Sequence, residues 1–285
     1  MPGGGYRRRP VTADETADEA ADAVGAGLPA TLPPVRRLTL EPDPELVAPE
    51  LATAVDAILD ESRASDELPG RLQRAAELAA AAGCVAIGLE AEPAPDSLDE
   101  QCRSAGFGLV RTMLQLRRAL PLPVDLRRPD PHSLRPFRVG QDEEAWLAVN
   151  HRAFEWHPEQ GEWTLADLQQ REAEKWFRPD GFLVLDAENG ENGGGDDRRL
   201  DGFCWSKIHD GDPPLGEIYV IGVDPDRHGL GLGRALVMAG LDWLADVGVG
   251  HAMLYVEGDN EPALRLYREL GFVTHAAHRW WRRDL

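Results

Sequence analysis

Cysteine is scarce in this chain of 285 residues: only Cys84, Cys102 and Cys204 occur, and no CxxC pair is present. Three isolated cysteines support neither a disulfide framework nor a zinc ribbon, and they fit a reducing cytoplasm. The eight histidines include no HExxH pattern. The sequence therefore predicts a cytoplasmic protein with no metal site.

Long apolar runs are also missing. The longest one, Leu78 to Leu89, has 12 residues, which is too short to span a hydrocarbon core of roughly 30 Å. The first arginines are followed by an acidic segment where a signal peptide needs an apolar core. We therefore expect a soluble protein that does not contact membranes.

Basic side chains are outnumbered, with 30 Lys and Arg against 50 Asp and Glu and a net charge of −20. Such an acidic surface repels the phosphates of nucleic acids, so a nucleic-acid partner is not expected. The hydrophobic content of 42% is sufficient to bury the core of one large domain or two modest ones.

Composition divides the chain into segments. Residues 1–33, rich in Ala, Asp, Glu, Gly and Pro, are predicted to be a disordered tail. The proline-rich stretch 123–132 is predicted to link a first domain, 34–122, to a second domain, 133–285. In the second domain the apolar periodicity predicts the order β-α-α-β-β-β-α-β-α-β, which is typical of an α/β (α+β) fold with a mixed sheet.

An internal similarity links the two halves. "GLEAEPAPDSLDEQCRSAGFGLVRTML" and "LYVEGDNEPALRLYRELGFVTHAAH" both indicate a strand, an acidic loop with proline, a helix, Gly-Phe and a second strand. Aligning the Gly-Phe pairs places Cys102 where Tyr267 stands. The first half has no counterpart of the glycine-rich turn described next, so we interpret it as a partial, degenerate and non-catalytic repeat.

The stretch "RHGLGLGRAL" places Gly229, Gly231 and Gly233 between an apolar strand and a helix. Such a turn lets backbone amides face an anion, and the helix dipole adds roughly half a positive charge. The spacing does not match GxGxxG, and GxxxxGK[ST] does not occur, which excludes the dinucleotide and P-loop motifs. Taken alone, the three glycines are equally consistent with tight packing.

The strand ending in "GVDP", this turn and the later "YVEGDNEPALRLYRELGF" resemble the GNAT family of N-acetyltransferases over residues 133–285. The resemblance implies a GNAT fold in this half, preceded by the truncated repeat, and acetyl-CoA as co-substrate. His228 stands where the family usually has Gln or Arg. The coenzyme contacts that the resemblance implies are Ile221, Gly222, Val223, His228, Gly229, Leu230, Gly231, Leu232, Gly233, Arg234, Asn260, Ala263, Leu264 and Arg265.

Within that family, four stretches are most similar to the mycothiol synthases: "HRAFEWHPEQGEWT", "GFCWSKIH", "GEIYVIGVDP" and "LYVEGDN". These are two-repeat enzymes that acetylate the cysteine α-amine of cysteinyl-glucosaminyl-inositol. The resemblance implies Glu217 as general base and Tyr267 as the acid for the leaving thiolate. It implies Glu159, Lys207 and Tyr255 as substrate contacts. The expected protein is a monomeric enzyme in which a small-molecule amine attacks the thioester directly.

Two alternatives remain open. The shortened first half favours a GNAT enzyme for another small amine or a protein N-terminus, while His228 and that shortening favour a non-catalytic acetyl-CoA-binding regulator. The residues alone also allow Glu217 to be an ordinary strand-end carboxylate, and Tyr267 shares a helix face with core positions. Strand alternation further predicts that Glu217, Tyr219 and Ile221 lie on one face.

Overall fold

The computed structural model of the protein describes residues 35–41, 68–126, 133–155, 161–187 and 199–285. The predicted tail, residues 1–33, lies outside these ranges. The strands are β1 Val35–Glu41, β2 Ala86–Ala91, β3 Gly108–Ala119, β4 Leu134–Pro136, β5 Phe182–Asp186, β6 Leu200–His209, β7 Leu215–Val223, β8 His251–Glu257 and β9 Val273–Asp284. The helices are α1 Leu68–Ala81, α2 Ser97–Ser104, α3 Glu143–Ala153, α4 Leu165–Glu172, α5 Leu232–Asp246 and α6 Glu261–Glu269.

From Leu134 onward the elements follow the predicted order, and the mixed α/β fold is confirmed. Helix α4 is short and ends at Glu172. It begins at a capping box in which Thr164 and Asp167 satisfy each other's backbone amides. No helix in the described ranges is long and apolar enough to cross a membrane.

The chain forms two compact units, and the first comprises residues 118–254. Its strands are hydrogen-bonded in the order β4-β5-β6-β7-β8. The β4-β5, β5-β6 and β6-β7 pairs are antiparallel, whereas β7 and β8 run parallel. The sheet of this unit is therefore mixed, and β7 lies between an antiparallel and a parallel neighbour.

An aromatic core fixes one face of this sheet. Trp146 of α3 packs with Phe182, Phe203 and Trp205, and all four side chains are completely buried. Phe182 stacks on Trp205 with ring centres 4.3 Å apart, and Trp146 meets both rings edge-on. An aromatic side chain of this kind buries roughly 150–250 Å². This packing holds β6 rigidly in the sheet.

Helix α5 packs on the opposite face through Gly240. A Cβ atom at Gly240 would lie 2.7 Å from Cys204 Sγ and 2.9 Å from Ile218 Cδ1. Only glycine therefore allows the helix to approach β6 and β7 this closely. That close contact fixes where the amino terminus of α5 begins relative to β7.

The second unit joins residues 35–117 to residues 255–285. Its strands follow the order β1-β2-β9-β3, and each neighbouring pair is antiparallel. The compact units thus differ from the predicted domains, because the terminal strand β9 pairs with β2 and β3 of the first half. The division into two evolutionary domains at residues 123–132 stays a prediction.

The two similar segments end their helices in the same way. Gly106 after α2 and Gly271 after α6 both have φ of +83°. The amide of Phe107 donates to the Cys102 carbonyl at 2.9 Å, and the amide of Phe272 donates to the Tyr267 carbonyl at 3.0 Å. Left-handed glycines that end a helix in this manner are common, so descent from a duplication remains a prediction.

Candidate active site

The glycine-rich turn lies between β7 and α5. Gly229 and Gly231 have φ of +81° and +79°, and Gly231 is the N-cap of α5. A Cβ atom at either glycine would meet no other atom within 4 Å. Glycine is therefore required here by the left-handed backbone and not by lack of space.

The amides of this turn are available to a ligand. None of the five N–H groups from Gly229 to Gly233 donates a hydrogen bond to another described residue. The first bond of the helix runs from the Ala235 amide to the Gly231 carbonyl at 3.2 Å. N–H groups that donate to no described residue, at the positive end of a 15-residue helix, form a site suited to a phosphate or another anion.

Strand β7 also offers backbone groups to a ligand. Its parallel pairing with β8 is limited to Gly216 opposite Ala252 and Glu217 opposite Met253. Beyond Glu217 no further pair with β8 forms among the described residues, although β7 continues to Val223 along β6. The remaining edge can hydrogen-bond an extended, amide-containing group as a strand would.

A buried carboxylate anchors the connection from β7 to the turn. Asp224 follows β7 and accepts hydrogen bonds from the Asp226 amide at 3.1 Å, Arg152 at 2.9 Å and Arg199 at 3.2 Å. Burial raises the pKa of Asp224, but these donors outweigh burial and hold that pKa below its ordinary value. Next to it, Nε2 of His228 lies 3.2 Å from the Val223 carbonyl oxygen.

The predicted face of β7 is wrong at Ile221. Glu217 lies opposite Lys207, whereas Ile221 lies opposite Cys204. Cys204 and Lys207 are an odd number of positions apart on β6, so their side chains lie on opposite faces of the sheet. Tyr219 is the additional residue of a β-bulge between these pairs, and it turns Ile221 to the other face of the sheet. Simple alternation along a strand does not anticipate a bulge.

Glu217 lies in a buried polar cluster. Its side chain is 5% exposed, and Oε2 lies 2.7 Å from Nε2 of His209, whose side chain is 3% exposed. Its other oxygen, Oε1, has no hydrogen-bond partner among the described residues. His209 was not predicted, although it follows Lys207 by two residues on β6 and so shares its face.

The side chain of Lys207 is buried in the same face. Its Nζ lies 4.8 Å from the ring centre of Trp176 and 5.7 Å from that of Tyr219. The negative faces of these rings stabilise an ammonium group that has left bulk water. Lys207, His209 and Glu217 therefore bring a cation, an imidazole and a carboxylate to one side of the sheet in the first unit.

Cys102 and Cys204 are not poised as nucleophiles. Burial raises the pKa of Cys204 to about 12 against a smaller lowering by Ser206. Burial, with a contribution from Asp99, raises the pKa of Cys102 to about 12. Thiols with such pKa values carry almost no thiolate at neutral pH. In the described ranges no three His, Cys, Asp or Glu side chains cluster as metal ligands.

In the second unit, the hydroxyl oxygen of Tyr255 accepts a hydrogen bond from Gln115 Nε2 at 2.6 Å. The Oε1 atom of Gln115 in turn accepts from Nε of Arg117 at 2.8 Å. This chain of side chains orients the phenol of Tyr255. Gln115 was not predicted, because it lies 140 residues away in the sequence.

Helix α6 carries the remaining predicted residues. Asn260 is its N-cap and accepts from the Ala263 amide at 3.2 Å. Leu264 and Tyr267 are buried, whereas Arg265 is exposed. The ring of Tyr267 packs edge-on against Phe272 with ring centres 5.8 Å apart. Glu159 lies outside the described residues.

Comparisons with known proteins find similar acetyltransferases. Residues 147–272 match the model of the acetyltransferase (GNAT) family. Over 174 residues the chain is 49% identical to the mycothiol acetyltransferase of Kocuria rhizophila, covering 59% of this chain and 55% of that protein. Over 147 residues it is 55% identical to the mycothiol acetyltransferase of Nocardiopsis dassonvillei, covering 49% of this chain and 42% of that protein.

A solved structure shows the same fold. The GCN5-related N-acetyltransferase from Sphaerobacter thermophilus superposes with a TM-score of 0.56 at 19% identity, covering 75% of this chain and 66% of that chain. The chain spans about half the length of the curated relatives it matches. Residues 147–272 are thus similar to the GNAT acetyltransferase family, and the chain shares the fold of this solved structure.

Proposed function

We propose that this protein is an acetyl-CoA-dependent N-acetyltransferase that acetylates the cysteine α-amine of cysteinyl-glucosaminyl-inositol, the last step of mycothiol synthesis. Relatives named mycothiol acetyltransferase support this choice. The observation that carries it is the arrangement along β7. Near its start lies a buried carboxylate, one oxygen of which has no partner among the described residues. After its end come five amides that donate to no described residue.

The coenzyme, when bound, supplies an acetyl group that is activated as a thioester. We propose that the amides of residues 229–234 hold its pyrophosphate and that the open edge of β7 at Ile221–Val223 pairs with its amide-containing arm. Two observations support this assignment. The amides of Gly229–Gly233 donate to no described residue, and the pairing of β7 with β8 ends at Glu217 among the described residues. Asn260, Ala263, Leu264 and Arg265 of α6 are proposed as further coenzyme contacts.

Glu217 is the proposed general base. An α-amino group has a pKa of about 8, so a fraction of the amine is already neutral at pH 7. A weak base such as a carboxylate therefore suffices to take the proton that the amine loses as it attacks. Its Oε1 atom has no partner among the described residues, which leaves one oxygen to accept that proton. The matching position in the family supports this role.

Tyr267 is the proposed acid that protonates the departing thiolate. Direct attack by the amine is proposed because an acyl-cysteine would need an accessible thiolate. The pKa values of about 12 for Cys102 and Cys204 argue against one.

The proposed acceptor contacts are Glu159, Lys207 and Tyr255. An ammonium, a phenol and a carboxylate together supply the hydrogen-bond donors and acceptors that a polyhydroxylated amino sugar needs. Gln115 holds the phenol of Tyr255 in one orientation, which supports a binding role for that hydroxyl. We also propose that the enzyme acts as a cytoplasmic monomer without a nucleic-acid or membrane partner.

The decisive experiment measures thiol release from acetyl-CoA with cysteinyl-glucosaminyl-inositol and, separately, with cysteine, glucosamine and a peptide N-terminus. Rapid release only with the pseudodisaccharide is expected. Release with another amine alone would contradict the proposed acceptor. Tight acetyl-CoA binding without release for any acceptor would instead favour a regulatory protein.

The base is tested with Glu217→Gln. A general base contributes roughly 10²- to 10⁴-fold to the rate, so kcat/KM should fall by that factor while the Kd for acetyl-CoA stays unchanged. The exposed Glu174 provides a matched control, because Glu174→Gln makes the same chemical change at a solvent-exposed position. Wild-type turnover by Glu217→Gln would exclude the assignment.

A further inference from the structure

We infer that His209 is a positioning residue of this reaction: its Nε2–H holds Oε2 of Glu217, so that Oε1 of the carboxylate is presented to the amine. The inference deepens the proposed function and rests on it. It concerns a residue that neither the sequence patterns nor the family resemblance assigned.

The register of β6 and β7 explains why these two side chains meet. Lys207 lies directly opposite Glu217, and His209 lies directly opposite Leu215. His209 and Glu217 are therefore diagonal neighbours on one face, a separation that long side chains bridge. Their Nε2 and Oε2 atoms lie 2.7 Å apart, which is a short, well-formed hydrogen bond.

Burial makes the carboxylate of Glu217 depend on this hydrogen bond. Both side chains are at least 95% buried, so water does not replace the donor if the imidazole is removed. The last torsion of a glutamate is broad, and rotamer preference alone does not fix the plane of its carboxylate. His209 makes the hydrogen bond that fixes it, and among the described residues Glu217 has no other side-chain partner.

The pair has a buried cation on one side and an exposed acidic residue on the other. On the same face of β6, Lys207 contributes its buried ammonium group, which contacts Trp176 and Tyr219. On the outer side, Asp210 follows His209 and is exposed. The pair therefore lies at the end of β6, between the interior cation and the solvent.

The expected magnitude follows from positioning. A misplacement of about 1 Å at a reacting group costs roughly 10²-fold in rate, so loss of the donor should lower kcat by about 10- to 100-fold. The Kd for acetyl-CoA should not change, because the glycine-rich turn lies beyond the other end of β7. A residue that only stabilised the sheet would not produce this separation of kcat from coenzyme binding.

Two variants separate the donor from the ring. His209→Phe retains an aromatic ring without a donor, and His209→Gln retains an N–H at the end of a side chain of similar reach. We expect His209→Phe to lose 10- to 100-fold in kcat and His209→Gln to stay within a few-fold of the wild type. In a Glu217→Gln background, His209→Phe should cost nothing further, because the two residues act as one unit.

Equal losses in both variants, or a full additional loss in the double variant, would overturn the inference. If His209→Phe does not fold, ¹⁵N NMR of the unmodified chain decides the matter. The His209 signal, assigned by its loss in His209→Gln, should report the Nε2–H tautomer. The Nδ1–H tautomer would refute the proposed donor.

Failure of the proposed function is distinguishable from failure of this inference. If the wild-type chain acetylates no acceptor, the function and the inference fail together. If the wild type is active and His209→Phe matches its kcat, only the inference fails.

Discussion

We predict different outcomes for three Gly→Ala substitutions in the first unit, one in the glycine-rich turn and two after helix α5. Gly231 has φ of +79° at the start of α5, and Gly248 has φ of +92° after its end. Gly250 does not have a positive φ, and at all three positions a Cβ atom would meet nothing within 4 Å. The three glycines thus separate backbone strain from proximity to the turn.

The magnitudes follow from the backbone. A left-handed conformation costs a non-glycine residue about 1–2 kcal/mol, while replacing glycine removes unfolded-state entropy worth about 0.4–1 kcal/mol. Gly231→Ala and Gly248→Ala should therefore each lose about 1 kcal/mol, or roughly 2–4 °C in Tm. Gly250→Ala should be unchanged or slightly more stable.

Coenzyme binding distinguishes the two strained positions. If Gly231→Ala relaxes out of the left-handed region, binding must restore that conformation at about 1–2 kcal/mol, which is a 5- to 30-fold weaker Kd. Gly248→Ala and Gly250→Ala should keep the wild-type Kd. Calorimetric titration with acetyl-CoA measures all three.

Two results would refute this reasoning. A wild-type Kd for Gly231→Ala would show that the amides of the turn do not hold the coenzyme through this conformation. An equal weakening in Gly248→Ala would show that the loss reflects general destabilisation of the unit.

Two further predictions concern titratable groups. Because donors hold the pKa of Asp224 below its ordinary value of 3.8, its ionised form stabilises the fold fully above about pH 4, and this stability is lost as pH falls through the lowered pKa. Asp224→Asn should therefore lower the urea midpoint clearly at pH 7 and less at pH 3; an equal loss at both would contradict the linkage. Iodoacetamide at pH 8 should leave Cys102 and Cys204 unmodified, as mass spectrometry of the folded chain would show, and alkylation at either would contradict their raised pKa values.

Local sequence patterns were sufficient to predict many of the structural elements of this protein. The element order from Leu134 to Asp284 follows from apolar periodicity, because side-chain alternation and helical spacing are properties of neighbouring residues. The turn at Gly229 and Gly231 was also predictable, since glycine is the residue that adopts a positive φ without strain. Glu217 could be singled out from its strand and the family resemblance.

The remaining features depend on register between distant strands. The bulge at Tyr219 turned Ile221 away from the face of Glu217, and the diagonal β6-β7 register brought His209 to the carboxylate. Pairing of β9 with β2 and β3 joined the chain's last residues to its first half. Sequence by itself determined the elements and the chemistry-bearing residue types, because these are local; tertiary structure decided which side chains meet, because register is set by contacts far apart along the chain.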